Sequence, residues 1–290
     1  MILVTGASGK TGRAVISALT KGRQRVRALV HRHEQVLQLQ SLGAEEALVG
    51  DMRSKEVVNR AMQGVESVYH ICPNVSPEEA TIGAVMIEAA RLAGVRRFVF
   101  HSVLHPQVED MPHHWLKMRV EEALFKSGLS YVILQPAAYM QNTLGGWVSI
   151  TQRGVYEVPY SLEARMSLVD VQDVAEVSML VLTVSDHGGS VYELAGSQAI
   201  TPKQIAEIFG KLLGKNVRAD RVSTEAWVRQ AATSGLGAYQ TDTLVKMFDY
   251  YDKYGFCGNP LVLKTLLGRN PTTFEQFASR TISAKLKKSD

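Results

Sequence analysis

The chain has 290 residues, 46% hydrophobic and 21% charged, with 32 Lys and Arg against 28 Asp and Glu for a formal charge of +4. These values exclude a disordered chain, which is poor in apolar residues, and the length suits one large or two modest domains with a real core. Two cysteines are too few for a disulfide framework, residues 1–6 lack the basic region of a signal peptide, and no apolar run approaches the roughly 20 residues that span a bilayer, so the chain reads as cytoplasmic, with reduced thiols.

Short β-branched apolar runs alternate with helix-like segments closed by glycine. Ile2–Val4 opens the series, and Ala14, Val15, Ala18 and Leu19 form a helical face that stops at Gly22. Strands follow at Val26–Val30 and 47–49, then a face of Val57, Val58, Ala61 and Met62 before Gly64. After a strand at 68–71, Ser76-Pro77-Glu78-Glu79 reads as a helix start, with Ser76 as N-cap, Pro77 in the first turn and Glu79 completing a capping box. That helix ends near Gly94, a strand follows at 98–100, a helix at 113–127 stops at Gly128, and a strand at 131–134 closes the series. Strands this short and this apolar are covered on both faces, so the pattern predicts βαβ units in a doubly wound parallel sheet.

Past Pro136 the rhythm changes. The residues predict a strand at 166–169, a helix at 171–183, a strand at 191–194, a helix from Thr201-Pro202 to Gly214 and a strand at 217–222. Residues 224–256 and 274–288 read as mostly helical, the latter ending in Lys285, Lys287 and Lys288. The expected organisation is an α/β Rossmann domain at 1–138 and a smaller, mostly helical substrate part at 139–290, with about 166–195 returning to the sheet.

The sharpest motif follows the first strand: Thr5-Gly6-Ala7-Ser8-Gly9-Lys10-Thr11-Gly12. Dinucleotide binding needs a tight turn at Gly6, no side chain at Gly9 where backbone meets pyrophosphate, and close helix–strand packing at Gly12, with the helix N-terminus facing the phosphates. Gly9-Lys10-Thr11 is not a P-loop, because that motif requires Gly at position 4, which is Val. Twenty residues past Gly12 an NAD site places an acid, but this chain has Arg32, whose guanidinium suits a 2′-phosphate. NADP(H) is therefore preferred over NAD(H). Asp51, with Met52 beside it, can accept from the adenine amino group or serve only as a cap or turn residue, and Ile71 and Cys72 lie beneath the middle of the cofactor, with Cys72 as an inert small residue.

The glycine loop, Arg32, Gly50-Asp51, Gly94-Val95-Arg96-Arg97-Phe98-Val99, Lys117 with Glu121, and Ser127-Gly128-Leu129 together resemble the NmrA-like branch of the atypical short-chain dehydrogenase/reductases. So do Leu134-Gln135-Pro136-Ala137-Ala138-Tyr139-Met140-Gln141-Asn142 and Leu267-Gly268-Arg269-Asn270-Pro271-Thr272-Thr273-Phe274. The resemblance covers nearly the whole chain and implies NADPH-dependent quinone reductases, related reductases of aromatic compounds and dyes, or cofactor-sensing regulators. It also implies that substrate meets the nicotinamide near Pro136, with Tyr139, Met140 and Asn142 in the substrate pocket.

The wider superfamily uses Tyr-x-x-x-Lys with an upstream Ser. Here the stretch is His113-His114-Trp115-Leu116-Lys117, with Ser102 matching the serine. Three readings stay open: His113 as general acid, Lys117 holding the ribose while solvent supplies protons, or a site that binds cofactor without turnover. The lead is an NADPH-dependent oxidoreductase passing hydride to a quinone or similar small aromatic electrophile. The alternative is a non-catalytic NADP(H) sensor acting through a protein partner. No metal is expected, since neither His-Glu-x-x-His nor paired Cys-x-x-Cys occurs, and the scattered basic residues argue against nucleic acid.

Overall fold

The computed structural model describes residues 1–286, so Lys287 and Lys288 lie outside the described residues. Each early apolar run becomes a strand that feeds a helix. β1 (Ile2–Val4) leads into α1 (Lys10–Lys21), and β2 (Val26–Val30) into a 3-10 turn and the short α2 (Val36–Gln40). β3 (Glu46–Val49) leads into α3 (Lys55–Met62), β4 (Ser67–His70) into α4 (Glu79–Leu92), and β5 (Arg97–His101) into α5 (Pro112–Phe125), before β6 (Tyr131–Pro136). Then come β7 (Val155–Val158), α6 (Val171–Thr183), β8 (Ser190–Leu194), α7 (Pro202–Leu213) and β9 (Arg218–Arg221). The last helices are α8 (Thr224–Thr233), α9 (Ala238–Tyr254), α10 (Leu261–Leu267) and α11 (Phe274–Leu286).

Seven strands share one sheet in the order β3-β2-β1-β4-β5-β6-β8. The first six pair in parallel, with Leu3 of β1 opposite Arg27 on one side and Val68 on the other. Strand order reverses between β1 and β4. In a doubly wound sheet, ligands bind outside the carboxyl ends of the strands at that reversal, which here puts Gly6 and Ile71-Cys72 at the mouth of the crevice. One face of the sheet is sealed by Val58 and Met62 of α3 and Ile82 and Met86 of α4, packed with Phe98 and Phe100 of β5. On the other face α6 packs against α1.

The chain divides into two compact units. The first holds Met1–Glu109, His113–Pro136 and Val171–Glu193. The second holds Asp110–Pro112, Ala137–Asp170 and the chain from Leu194 onward. Within the second unit β7 and β9 form a two-stranded parallel sheet. α7 packs on α11, with the Phe209 and Phe274 rings edge to face. α7 opens at Thr201-Pro202, as the residues predict, with Thr201 as its cap and Gln204 reaching back to the Thr201 N–H.

Three elements differ from the sequence reading. The strand expected at 166–169 does not form, because its backbone is spent on separate segments. Met166 bridges Ile200, Ser167 donates to the Phe256 carbonyl, and Val169 donates to that of Ala138. β7 and the short α2 have no counterpart in the sequence reading. Among the described residues no helix is long and apolar enough to cross a membrane.

Candidate active site

The site starts where β1 ends. The Thr5 hydroxyl accepts from the Ile71 N–H at 3.0 Å and pairs with His70 Nδ1 at 2.8 Å, fastening the end of β1 to the end of β4. Gly6 follows with φ +56, and a Cβ there would stand 2.8 Å from the Ile71 carbonyl oxygen. The chain turns so that the Gly9 N–H donates to the Gly6 carbonyl at 3.0 Å. A Cβ on Gly12 would lie 2.4 Å from that carbonyl oxygen and 2.7 Å from Ala7 Cα, so α1 can approach β1 this closely only with glycine. Gly9 caps α1 without a side-chain acceptor, and the first turn carries Lys10 and Thr11 but no acid. This backbone cradle fits the pyrophosphate of a dinucleotide, and Gly6 and Gly12 each have a steric reason to be there. Ser8 is half-buried and Lys10 is exposed on the same loop.

Arg32 stands two residues past β2 on an exposed turn, held by its own N–H donating to the Gln35 side chain at 3.3 Å. Among the described residues no carboxylate pairs with its guanidinium. Asp51 is held in place by its neighbour. Arg53 grips it through Nε at 2.8 Å, Nη2 at 2.5 Å and its backbone N–H at 2.8 Å, and reaches Glu78 at 3.3 Å. The Arg53 hydrogen bonds hold the Asp51 carboxyl below the usual carboxylate range. Met52 is half-buried. Ile71 is the residue just past β4, and Cys72 beside it is buried, its thiol pushed up by burial and then by the charge of Glu79. A thiol in that state is inert, as the sequence suggests. Pro136 ends β6, and its carbonyl accepts from the Leu104 N–H.

The residue most displaced from its expected role is Glu79. Ser76 accepts from the Glu78 N–H at 3.2 Å, α4 begins only at Glu79, and no capping box forms. Glu79 instead points inward, 2% exposed, and accepts from Lys117 Nζ at 2.9 Å. Lys117, on α5, also donates to the His101 carbonyl at 3.4 Å and sits 5.4 Å over the Phe100 ring. The signal that could have found this pair is the apolar stripe of α4, where Ile82, Gly83, Met86, Ile87 and Ala90 follow Glu79 at helical spacing.

One turn further along α5, Glu121 is also 2% exposed. Ser102 donates its hydroxyl to Glu121 at 2.5 Å, and the Gln135 amide donates to both carboxylate oxygens at 2.9 and 3.0 Å. Burial pushes the Glu121 carboxyl up against the opposing effect of these bonds. Ser102 is therefore committed inward. His113 lies edge-on to His114 at 4.5 Å, and among the described residues its buried Nδ1 has no partner. Burial, then the Lys117 charge, lowers His113 to about 4, so it is a neutral imidazole near pH 7.

The three residues assigned to substrate belong to the second unit. Tyr139 is half-buried, Met140 is buried with its N–H donated to the Val169 carbonyl, and Asn142 is exposed.

Comparison with known proteins shows the family. A family model described as the NmrA-like family matches residues 1–278. The NAD(P)H azoreductase of Xenophilus azovorans is 28% identical over 287 residues, 98% of this chain and 99% of that one. Quinone oxidoreductase 2 of Escherichia coli K12 is 28% identical over 283 residues, 96% of this chain and 98% of that one. A crystal structure of NADPH-dependent quinone oxidoreductase from Escherichia coli, complexed with NADPH, superposes with a TM-score of 0.85 at 26% identity, over 97% of this chain and 100% of that chain.

Proposed function

The chain belongs to the NmrA-like family and is an NAD(P)H-dependent oxidoreductase, and from that premise we propose that it uses NADPH to reduce a quinone or similar small aromatic electrophile. The observation that carries the cofactor preference is the Arg32 guanidinium, unclaimed by any described carboxylate where β2 ends. In this reading the Gly6–Gly9–Gly12 backbone and the start of α1 take the pyrophosphate. Arg32 takes the 2′-phosphate through charge-assisted bonds, and Asp51, held by Arg53, accepts from the adenine amino group. Ile71, Cys72 and Pro136 supply apolar wall.

Bound NADPH supplies a hydride at its nicotinamide C4. Lys117 holds the ribose hydroxyls. Two of its three N–H donors go to Glu79 and the His101 carbonyl, which leaves one for a ligand. Neither remaining candidate is a strong acid. The Ser102 hydroxyl is donated to Glu121, and His113 is neutral. An acceptor whose reduced anion is already stable, such as a hydroquinone, needs no strong acid and takes its protons from water. That chemistry favours quinones over simple aldehydes. Tyr139, Met140 and Asn142 are the residues we assign to the acceptor.

The test is steady-state NADPH oxidation by the purified chain over a panel of quinones, azo dyes, enones and aldehydes. Turnover on quinones is expected to exceed that on aldehydes and to be abolished by Lys117→Ala. Tight NADPH binding without turnover on any acceptor would support the sensor alternative instead.

A further inference from the structure

Glu79 is a charged side chain on an otherwise apolar helix face, and stability alone is a weak reason for it. Removing a carboxylate and an ammonium from water costs several kcal/mol per ion by the general rule, and well-packed apolar residues in their place are often as stable or more so. The ion pair does something an apolar pair would not: it fixes where one ammonium points. Lys117 is anchored from two elements at once, by Glu79 at the start of α4 at 2.9 Å and by the His101 carbonyl at the end of β5 at 3.4 Å. The Phe100 ring lies beneath it at 5.4 Å, and its side chain is only 15% exposed. A lysine stem without these anchors has four rotatable carbons and many rotamers.

We propose that Glu79 is the positioning residue of the cofactor site, its carboxylate holding the Lys117 ammonium so that the remaining N–H is presented to the ribose. The proposal rests on the reading that Lys117 binds the cofactor. It also gives a reason for the inert Cys72. A small buried residue beside Glu79 lets the carboxylate stay close without offering it a competing charge.

The test is a double-mutant cycle on NADPH affinity, measured by fluorescence of the bound cofactor with the purified full chain. Glu79→Gln and Lys117→Met are each expected to weaken NADPH binding by about tenfold or more, the scale of a lost charge-assisted bond. The double variant is expected to bind no more weakly than Lys117→Met alone, because Glu79 acts only through the lysine. A Glu79→Gln protein that binds NADPH like wild type, while Lys117→Met does not, overturns the proposal. Additive losses in the double variant overturn it as well, since they make Glu79 independent of Lys117. If Lys117→Met leaves affinity unchanged, the reading of Lys117 itself fails, and the proposal with it. Should Glu79→Gln not fold, Glu79→Asp keeps the charge and withdraws it by one methylene. Weaker NADPH binding with an unchanged melting temperature then supports positioning, and wild-type affinity overturns it.

Discussion

Arg32 and Glu79 show how far single residues could be understood from their neighbours in the chain. The place of Arg32 was legible because it depends on spacing: the residue falls where the second strand of a dinucleotide fold ends, and β2 does end at Val30. Glu79 was not, because Ser76-Pro77-Glu78-Glu79 offers a complete local explanation, a capping box, that the fold does not use. Glu121 was noticed only through the resemblance. Its contacts with Ser102 and Gln135 join three elements and leave no trace in any one of them. At this scale the expected outcome concerns cofactor choice. Arg32→Ala should weaken NADPH binding by about 10- to 100-fold, the range of one or two charge-assisted bonds, and leave NADH within about twofold. Dissociation constants for both cofactors check this, and equal losses would sink the assignment.

The glycine loop and α1 behave as one element, and its design was readable before any coordinates. Gly6 and Gly12 are demanded by a turn and a helix contact, and we assign Gly9 to the phosphates. The structure adds which of them tolerates least: the atoms nearest a Cβ on Gly12 are backbone, Gly6 O and Ala7 Cα, and neither can rotate away. Gly12→Ala should therefore push α1 off β1, cost about 1–3 kcal/mol or more, and abolish NADPH binding. Gly64→Ala is the contrast. Its φ of +69 strains any side chain, but nothing lies within 4 Å, so it should cost on the order of 1 kcal/mol and leave NADPH affinity intact. Thermal unfolding and a cofactor titration on both variants separate the two effects, and a Gly12→Ala protein that binds NADPH normally would refute the packing argument. The central strands were legible for the same reason the loop was, since burial on both faces makes their middle residues apolar, while β3 at the sheet edge is only half-buried. The segment at 166–169 has that composition too, and no periodicity within it could tell that its hydrogen bonds would go to residues 138, 200 and 256.

Across the whole molecule, the excess of positive charge matters less than where protons are refused. His70, His101 and His114 are lowered to about 3 and His113 to about 4, in each case chiefly by burial. Unfolded histidines titrate near 6.5. The native state therefore binds fewer protons than the unfolded chain once pH falls below about 6.5, and the stability present above that value is lost on the way down. Each such histidine contributes a slope of at most about 1.4 kcal/mol per pH unit, and four together are enough to exhaust the roughly 5–15 kcal/mol of a typical domain. The melting temperature should fall steeply between about pH 6 and pH 4, and a flat profile there would contradict the burial of these rings. That fold, with neutral imidazoles inside and a cation at Arg32, is the setting we propose for hydride transfer without a strong acid. The most direct test is a single-turnover mixture of the purified protein, a naphthoquinone and NADPH deuterated at either face of C4. The account predicts stoichiometric NADPH oxidation slowed by deuterium on one face only, and NADPH that binds tightly yet is oxidised no faster than in buffer would contradict it.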